Sequence, residues 1–271
     1  MTTWGPPGPA YLFCPADRPE RFAKAAAVAD VVIVDLEDGV APERREQARA
    51  NVRNSLLDPA TTIIRVNPAT SLEHARDVAM LEESSYTTLM LAKTSGADEV
   101  RSLSRFNVVA LCESAEGITA LEEIAACANV VGLMWGSEDL VASLGGYSSR
   151  HADGSLRDVA RYARARTLIA ARARHLVALD TVLLNFEDLD ALALEAADAA
   201  AMGFTGTACV HPQQVGVVRT AYSPSAAQVT WARRVLEGAK GREGAVRVDG
   251  LMVDGPVLAQ ARQIMGRFRE P

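Results

Sequence analysis

Polar side chains able to do chemistry recur in this chain directly after short apolar runs: Asp35, Glu37 and Asp38, Arg65 and Asn67, Lys93, Glu113, Glu138 and Asp139, and His211. Carboxylates that face one cavity repel one another unless a cation lies between them or some stay protonated. Hard oxygen donors without thiolate suit Mg2+ better than Zn2+. Magnesium held by one or two carboxylates keeps positions open for water and substrate oxygens, and it can polarise a carbonyl or steady an enolate. Arg65 beside such an ion offers a two-pronged grip on a substrate carboxylate. The combination predicts chemistry on a keto or hydroxy acid.

Residues so far apart in sequence share a cavity only if the fold gathers them. The apolar runs do this: Tyr11–Cys14, Val31–Leu36, Thr62–Val66, Thr87–Leu91, Val108–Cys112, Val131–Trp135, Thr181–Leu184 and Thr207–Val210. Near-continuous apolar character suits strands covered on both faces, and alternation with Ala-rich amphipathic stretches suits a parallel sheet with crossover helices. Roughly eight such strands close a TIM (βα)8 barrel, an α/β fold whose strand C-termini converge on one mouth. The chain is therefore expected to form a barrel over residues 1–222 and a C-terminal helical extension over 223–271. The extension either caps the barrel or reaches a neighbouring subunit.

Helix signals fill the intervals. Pro42 suits a first turn before Ala48, Val52 and Leu56, and Ser71 suits an N-cap before Leu72, Ala75, Val78 and Leu81. Ile118, Leu121 and Ile124 form another stripe. Asp188 caps an Ala-rich helix that ends before Gly203. Ser223 or Ser225 starts a helix reaching Lys240, and a last helix begins near Val257. A long insert with GGYSSRHADG separates the sixth and seventh runs.

Composition removes several classes. The 271 residues include 49% hydrophobic and 5% aromatic residues and carry a formal charge of −6, which argues against a general nucleic-acid surface. The four cysteines have no metal-finger spacing, so a reducing cytoplasm is expected. The N-terminus lacks the pattern of a signal peptide, and no apolar run is long enough to span a bilayer. Each polar residue also has a plainer role open to it. Glu37 and Asp38 could start the next helix, Lys93 could be a surface lysine, and His211 a hydrogen-bonded buried histidine. Arg18, Arg21 and Lys24 could form an ordinary solvated helix face.

The series YLFCPADRPERFAKA, VVIVDLEDGV, IIRVN, LMLAK, LCESAEG, LMWGSEDL, CVHPQQV and LMVDGPVL resembles the citrate lyase beta-subunit-like group of the HpcH/HpaI aldolase and citrate lyase family. The resemblance runs from about Leu12 to about Leu258. It implies Glu113 and Asp139 as magnesium ligands and Arg65 as the binder of a substrate carboxylate. Glu37 and Asp38 would line the same pocket, with Lys93 and Gly136 as further substrate contacts. It implies Asp254 as an acid/base group lent to the neighbouring subunit of a homotrimer. Arg18, Arg21 and Lys24 become candidates for coenzyme A phosphates. The implied substrates are β-hydroxyacyl thioesters, cleaved to a keto acid and an acyl thioester. Rival readings are a pyruvate-type aldolase without thioester, an acyl-CoA hydrolase, and a subunit dependent on partner proteins. Departures from the family pattern fall at Ala16, Ala92, Glu116 and Asn185, all near the expected mouth.

Overall fold

The computed structural model describes residues 4–241 and 244–268. The start of the N-terminal segment read above and the end of the expected extension, residues 1–3 and 269–271, lie outside them. So do residues 242–243. The chain forms two compact units, residues 1–218 and 219–271.

The first unit is a closed barrel of eight parallel strands in chain order. They are β1 (Ala10–Pro15), β2 (Val31–Asp35), β3 (Thr62–Val66), β4 (Thr88–Leu91), β5 (Asn107–Cys112), β6 (Val130–Trp135), β7 (Val177–Asp180) and β8 (Gly206–Cys209). β8 closes on β1 through Ala10–Leu12 and Thr207–Cys209. Around it lie α1 (Phe22–Val28), α2 (Arg45–Arg53), α3 (His74–Glu82), α4 (Ala97–Ser102), α5 (Ala115–Thr119), α6 (Leu121–Ala125), α7 (Ser137–Ser143), α8 (Asp158–Ala173) and α9 (Leu189–Met202). The next helix, α10 (Pro212–Tyr222), runs on into the second unit.

Alternate strand residues build the interior. Tyr11, Val31, Ile33, Ile63, Met90, Val109, Leu111, Met134, Val177, Leu179 and Ala208 form one buried cluster. Side chains alternate along a strand with a period of two. The same alternation that turns Ile33, Ile63, Leu111 and Met134 inward therefore turns Asp35, Arg65, Glu113 and Gly136 inward, at the C-terminal rim.

Several expected boundaries move. The seventh strand is Val177–Asp180, not Thr181–Leu184. Two apolar runs, VALD and TVLL, lie end to end, and only the first reaches the register that pairs with Gly132–Met134 and with Gly206–Thr207. Asn185 is therefore loop, and Asp180 is the strand-end acid. α2 stops at Arg53, leaving Leu56 fully exposed. α3 starts at His74 rather than at Leu72, which is 92% exposed. Ser71 instead accepts from the Glu73 N–H through its Oγ. Ile118, Leu121 and Ile124 are buried as expected, but on two short helices that meet at Ala120. Asp188 does cap α9, and Gly203 ends it with φ of 113°. Among the described residues, no helix is long and apolar enough to cross a membrane.

The second unit contains α11 (Ala226–Gly238), a hairpin of β9 (Val246–Val248) and β10 (Leu251–Val253), and α12 (Gly255–Arg267). Ser225 and Gln228 form a capping box at the start of α11. Asp249 and Gly250 carry the positive φ values, 49° and 83°, that suit a two-residue hairpin turn. Ala232, Val235, Val253 and Ala261 form this unit's own apolar cluster.

Candidate active site

At the rim, Arg65 lies flat against Asp35. Its Nε and Nη2 each donate to one Asp35 oxygen at 2.6 Å, and its guanidinium stacks 4.9 Å over the Phe13 ring. Asp35 also accepts from the N–H groups of Glu37 and Gly39 at 2.9 and 2.8 Å, which folds the DLEDG loop back over the strand end. The carboxylates around Arg65 hold its charge more firmly than usual, outweighing its burial. The two-pronged grip expected of Arg65 is thus already engaged by Asp35. Its Nη1 lies 3.0 Å from Glu37 Oε2.

Lys93 follows β4 with φ of 49°, a left-handed conformation uncommon for a residue with a Cβ. In that conformation its N–H donates to Glu113 Oε1 at 3.1 Å. Its ammonium donates to Glu37 in a short contact and to Asp38 at 3.0 Å, and lies 3.5 Å from Asp139. These partners raise its pKa against the opposing effect of burial. Burial is the largest influence on Glu37 and raises its pKa, with Arg65 and Lys93 pulling the other way. Asp38 is more exposed. Its burial also works upward, but the hydrogen bond and charge of Lys93 hold it below the usual range.

Glu113 is 4% exposed. Burial, and then the nearby charge of Asp139, push its carboxyl up to about 8. Its only hydrogen bond among the described residues is the one from the Lys93 backbone. Asp139 sits in the first turn of α7, with a side chain 41% exposed. Gly136, directly after β6, has no room to spare: a Cβ there would stand 2.5 Å from Glu113 Oε2. Among the described residues no group of three or more metal-binding side chains is present. The donor set nevertheless fits a magnesium ion. Glu113 and Asp139 are oxygen donors that raise each other's energy when both are ionised, and buried Glu37 Oε2 has the ionic contact with Arg65 Nη1 but no hydrogen bond among the described residues. Carboxylates outnumber cations here, and one divalent cation relieves that imbalance.

Other predicted rim residues are placed elsewhere. Glu138 accepts from Ser137 Oγ and Ser149 Oγ, so it anchors the insert. Asn67 donates to Leu36 O and Asp77 and belongs to a buried network with Arg49. The His211 ring stacks on Phe186 at 4.9 Å, and its Nδ1 accepts from Gln213 N. Arg18, Arg21 and Lys24 are exposed after β1. Arg18 lies 3.8 Å from Asp17, and no ion pair among the described residues joins the three to the rim carboxylates. Asp254 caps α12, accepting from Val257 N at 3.4 Å.

Sequence reasoning missed one construction beside the site. Asp180 ends β7 with its side chain outward, 4% exposed. It accepts from Trp135 Nε1 at 2.7 Å and from Arg164 Nε and Nη2 of α8 at 3.0 and 2.7 Å. Thr181 Oγ1 accepts from Ser137 N at 3.3 Å. The turn that carries Gly136 and Asp139 is thus held at two points, by Asp180 at the end of β7 and by Thr181 just after it. The buried Trp at the end of β6 and the Asp that ends VALD were the available signal.

A closed parallel barrel with an acidic, arginine-bearing C-terminal rim defines an enzyme architecture in which strand-end residues do the chemistry. Residues 10–212 match the model of the HpcH/HpaI aldolase/citrate lyase family, and the chain belongs to that family. It is 51% identical over 263 residues to the citrate lyase subunit beta-like protein of Mycobacterium tuberculosis, covering 97% of this chain and 96% of that one. The crystal structure of CitE from Mycobacterium tuberculosis in complex with magnesium, acetoacetate and coenzyme A superposes with a TM-score of 0.93. There the identity is 52%, with 96% of this chain and 97% of that chain covered. The mitochondrial citramalyl-CoA lyase of Mus musculus is 30% identical, with 96% and 85% covered.

Proposed function

We propose that this chain is a magnesium-dependent carbon–carbon lyase that cleaves a β-hydroxyacyl-CoA of the citryl, malyl, citramalyl or hydroxymethylglutaryl type. The observation that carries the reading is the pair of Glu113, just past β5, and Asp139, in the first turn after β6, both contacted by Lys93 and close enough for the charge of Asp139 to raise the Glu113 carboxyl. The relatives support it: one solved structure holds magnesium, a keto acid and coenzyme A together, and another relative is a citramalyl-CoA lyase.

Glu113 and Asp139 would hold the magnesium. Bound there, it would supply a Lewis acid for the oxygens of the β-hydroxyl and its carboxylate. Arg65 Nη1 and the Lys93 ammonium give the substrate carboxylate two cationic neighbours, and Asp35 keeps the Arg65 plane fixed. Glu37 and Asp38 anchor Lys93 and face the same pocket. In cleavage the hydroxyl gives up its proton to a general base, its oxygen becomes the carbonyl of the keto acid or aldehyde acid, and the C–C electron pair passes to the thioester as an enolate. A proton then returns to the α-carbon. We assign that proton to Asp254 of a neighbouring copy in a homotrimer. The Asp254 side chain caps α12 through Oδ1 alone, which leaves Oδ2 able to carry it. Arg18, Arg21 and Lys24, exposed after β1, are assigned to the coenzyme A phosphates. A reducing compartment such as the cytoplasm suits the four buried cysteines.

The test is a panel of citryl-, malyl-, citramalyl- and hydroxymethylglutaryl-CoA, incubated with Mg2+ and followed by product analysis. One member should give acyl-CoA with its keto-acid partner in equal amounts. Free coenzyme A without a cleaved carbon skeleton would make the chain a hydrolase. Cleavage of free hydroxy-keto acids alone would make it a pyruvate-type aldolase.

A further inference from the structure

Among the described residues, Lys93 is the one that touches both carboxylates assigned to the metal. Its backbone N–H holds Glu113 Oε1 at 3.1 Å, and its ammonium lies 3.5 Å from Asp139 Oδ1. The same ammonium donates to Glu37 and Asp38. Such convergence is possible because the residue adopts φ of 49°, a conformation that costs energy for a side chain with a Cβ. The side chain is only about one-third exposed, at 34%, so its charge is incompletely screened. Arg65, the other cation of the rim, is committed to Asp35 by two hydrogen bonds. Lys93 is therefore the cation that neutralises the Asp139 side of the cavity.

We propose that Lys93 acts on metal and substrate with opposite signs, competing with the divalent cation for the rim carboxylates while attracting the carboxylate of the keto acid. The proposal rests on the assignment of Glu113 and Asp139 as the metal site. Two positive charges within one small acidic cavity repel, and removal of one leaves more negative charge for the other. An arriving anion reverses the balance, because it faces both cations and lowers their mutual repulsion. Metal and keto acid then strengthen each other's binding by the same factor, as linkage requires.

The experiment reads binding rather than turnover. Mn2+ is titrated into the full-length protein without keto acid, and free Mn2+ is followed by electron paramagnetic resonance. Acetoacetate is then titrated at saturating Mn2+. Lys93→Met should tighten Mn2+ by about tenfold and weaken acetoacetate by about tenfold, the size expected for one incompletely screened charge. Lys93→Arg should keep both affinities near wild type. Because the left-handed backbone could make Lys93→Met fold poorly, Lys93→Asn serves as a second neutral variant that tolerates this conformation. Both neutral variants weakening Mn2+ and acetoacetate together, or leaving Mn2+ unchanged, would overturn the proposal. Glu113→Gln and Asp139→Asn run alongside. If they bind Mn2+ as wild type does, the metal assignment itself fails, and that failure is separate from the outcome at Lys93.

Discussion

Two arginines in this barrel, the buried Arg49 and the largely buried Arg65, face carboxylates in different ways. Arg49, on α2, contacts Glu46 at 2.9 Å, Glu73 at 2.8 Å and Asp77 at 3.1 Å. The second oxygen of Asp77 accepts from Asn67 N and Nδ2 at 3.0 and 2.7 Å. That network has a partner for each buried oxygen, and the hydrogen bond from Arg49 holds Glu73 below the usual carboxylate range. At the rim, Arg65 satisfies Asp35 and meets Glu37 Oε2 as an ion pair at 3.0 Å, while Glu113 has one hydrogen bond among the described residues and is pushed up to about 8. Buried charge that is fully paired holds a fold together, whereas buried carboxylates left short of partners mark a place prepared for a ligand. The contrast separates a structural cluster from a candidate site without reference to any relative.

The largest effect that would break this contrast is expected at the two carboxylates proposed to hold the metal. Glu113→Ala or Asp139→Ala should abolish Mg2+-dependent cleavage in a steady-state assay while the protein stays folded by circular dichroism. Full activity in either would return these residues to the class of ordinary strand-end acids. Gly136→Ala comes next. Its new methyl would stand 2.5 Å from Glu113 Oε2 and force the carboxylate aside, so kcat should fall by roughly 10²-fold, the scale of an ångström of misplacement. Thermal denaturation should show a much smaller change.

The two regions should also differ in their response to pH. Glu113 has a folded pKa raised above its ordinary value, so the stability tied to its protonated form is present below about 4.5 and lost as pH rises through about 8. Metal-free protein should therefore lose stability over that range, and Mg2+ should restore it. Glu73 has the opposite sign: its contribution is present above the ordinary carboxylate range and is lost on acidification. Urea titrations with and without Mg2+, repeated on Glu113→Gln, read the first effect directly. The smallest functional effect is expected at Arg49. Arg49→Met should cost about 3 kcal/mol of stability, as breaking a buried ion network does, while leaving Mn2+ affinity unchanged.

Much of this architecture is legible in the chain because the barrel turns strand periodicity into position. Ile33 and Asp35, Ile63 and Arg65, Leu111 and Glu113 obey one alternation, so a core residue predicts the rim residue two places on. The adjacent VALD and TVLL runs defeated that logic at β7, since apolar character alone does not choose between registers. Asp180, with its bonds to Trp135 and Arg164, was lost with it. Asn67 reads as a rim residue from its place after β3, but its side chain turns to Leu36 and Asp77. The engagement of Arg65 by Asp35 and the left-handed Lys93 are three-dimensional facts with no periodic signature.

The most direct measurement is calorimetric titration of Mg2+ into the protein at pH 7 in buffers of different ionisation enthalpy. A carboxyl with a pKa of about 8 must lose its proton to bind metal. Wild type should therefore release close to one proton per Mg2+ bound, and Glu113→Gln should bind weakly and release none. Mg2+ binding of equal strength and equal proton release in Glu113→Gln would contradict the account, because the metal would then rest on other residues.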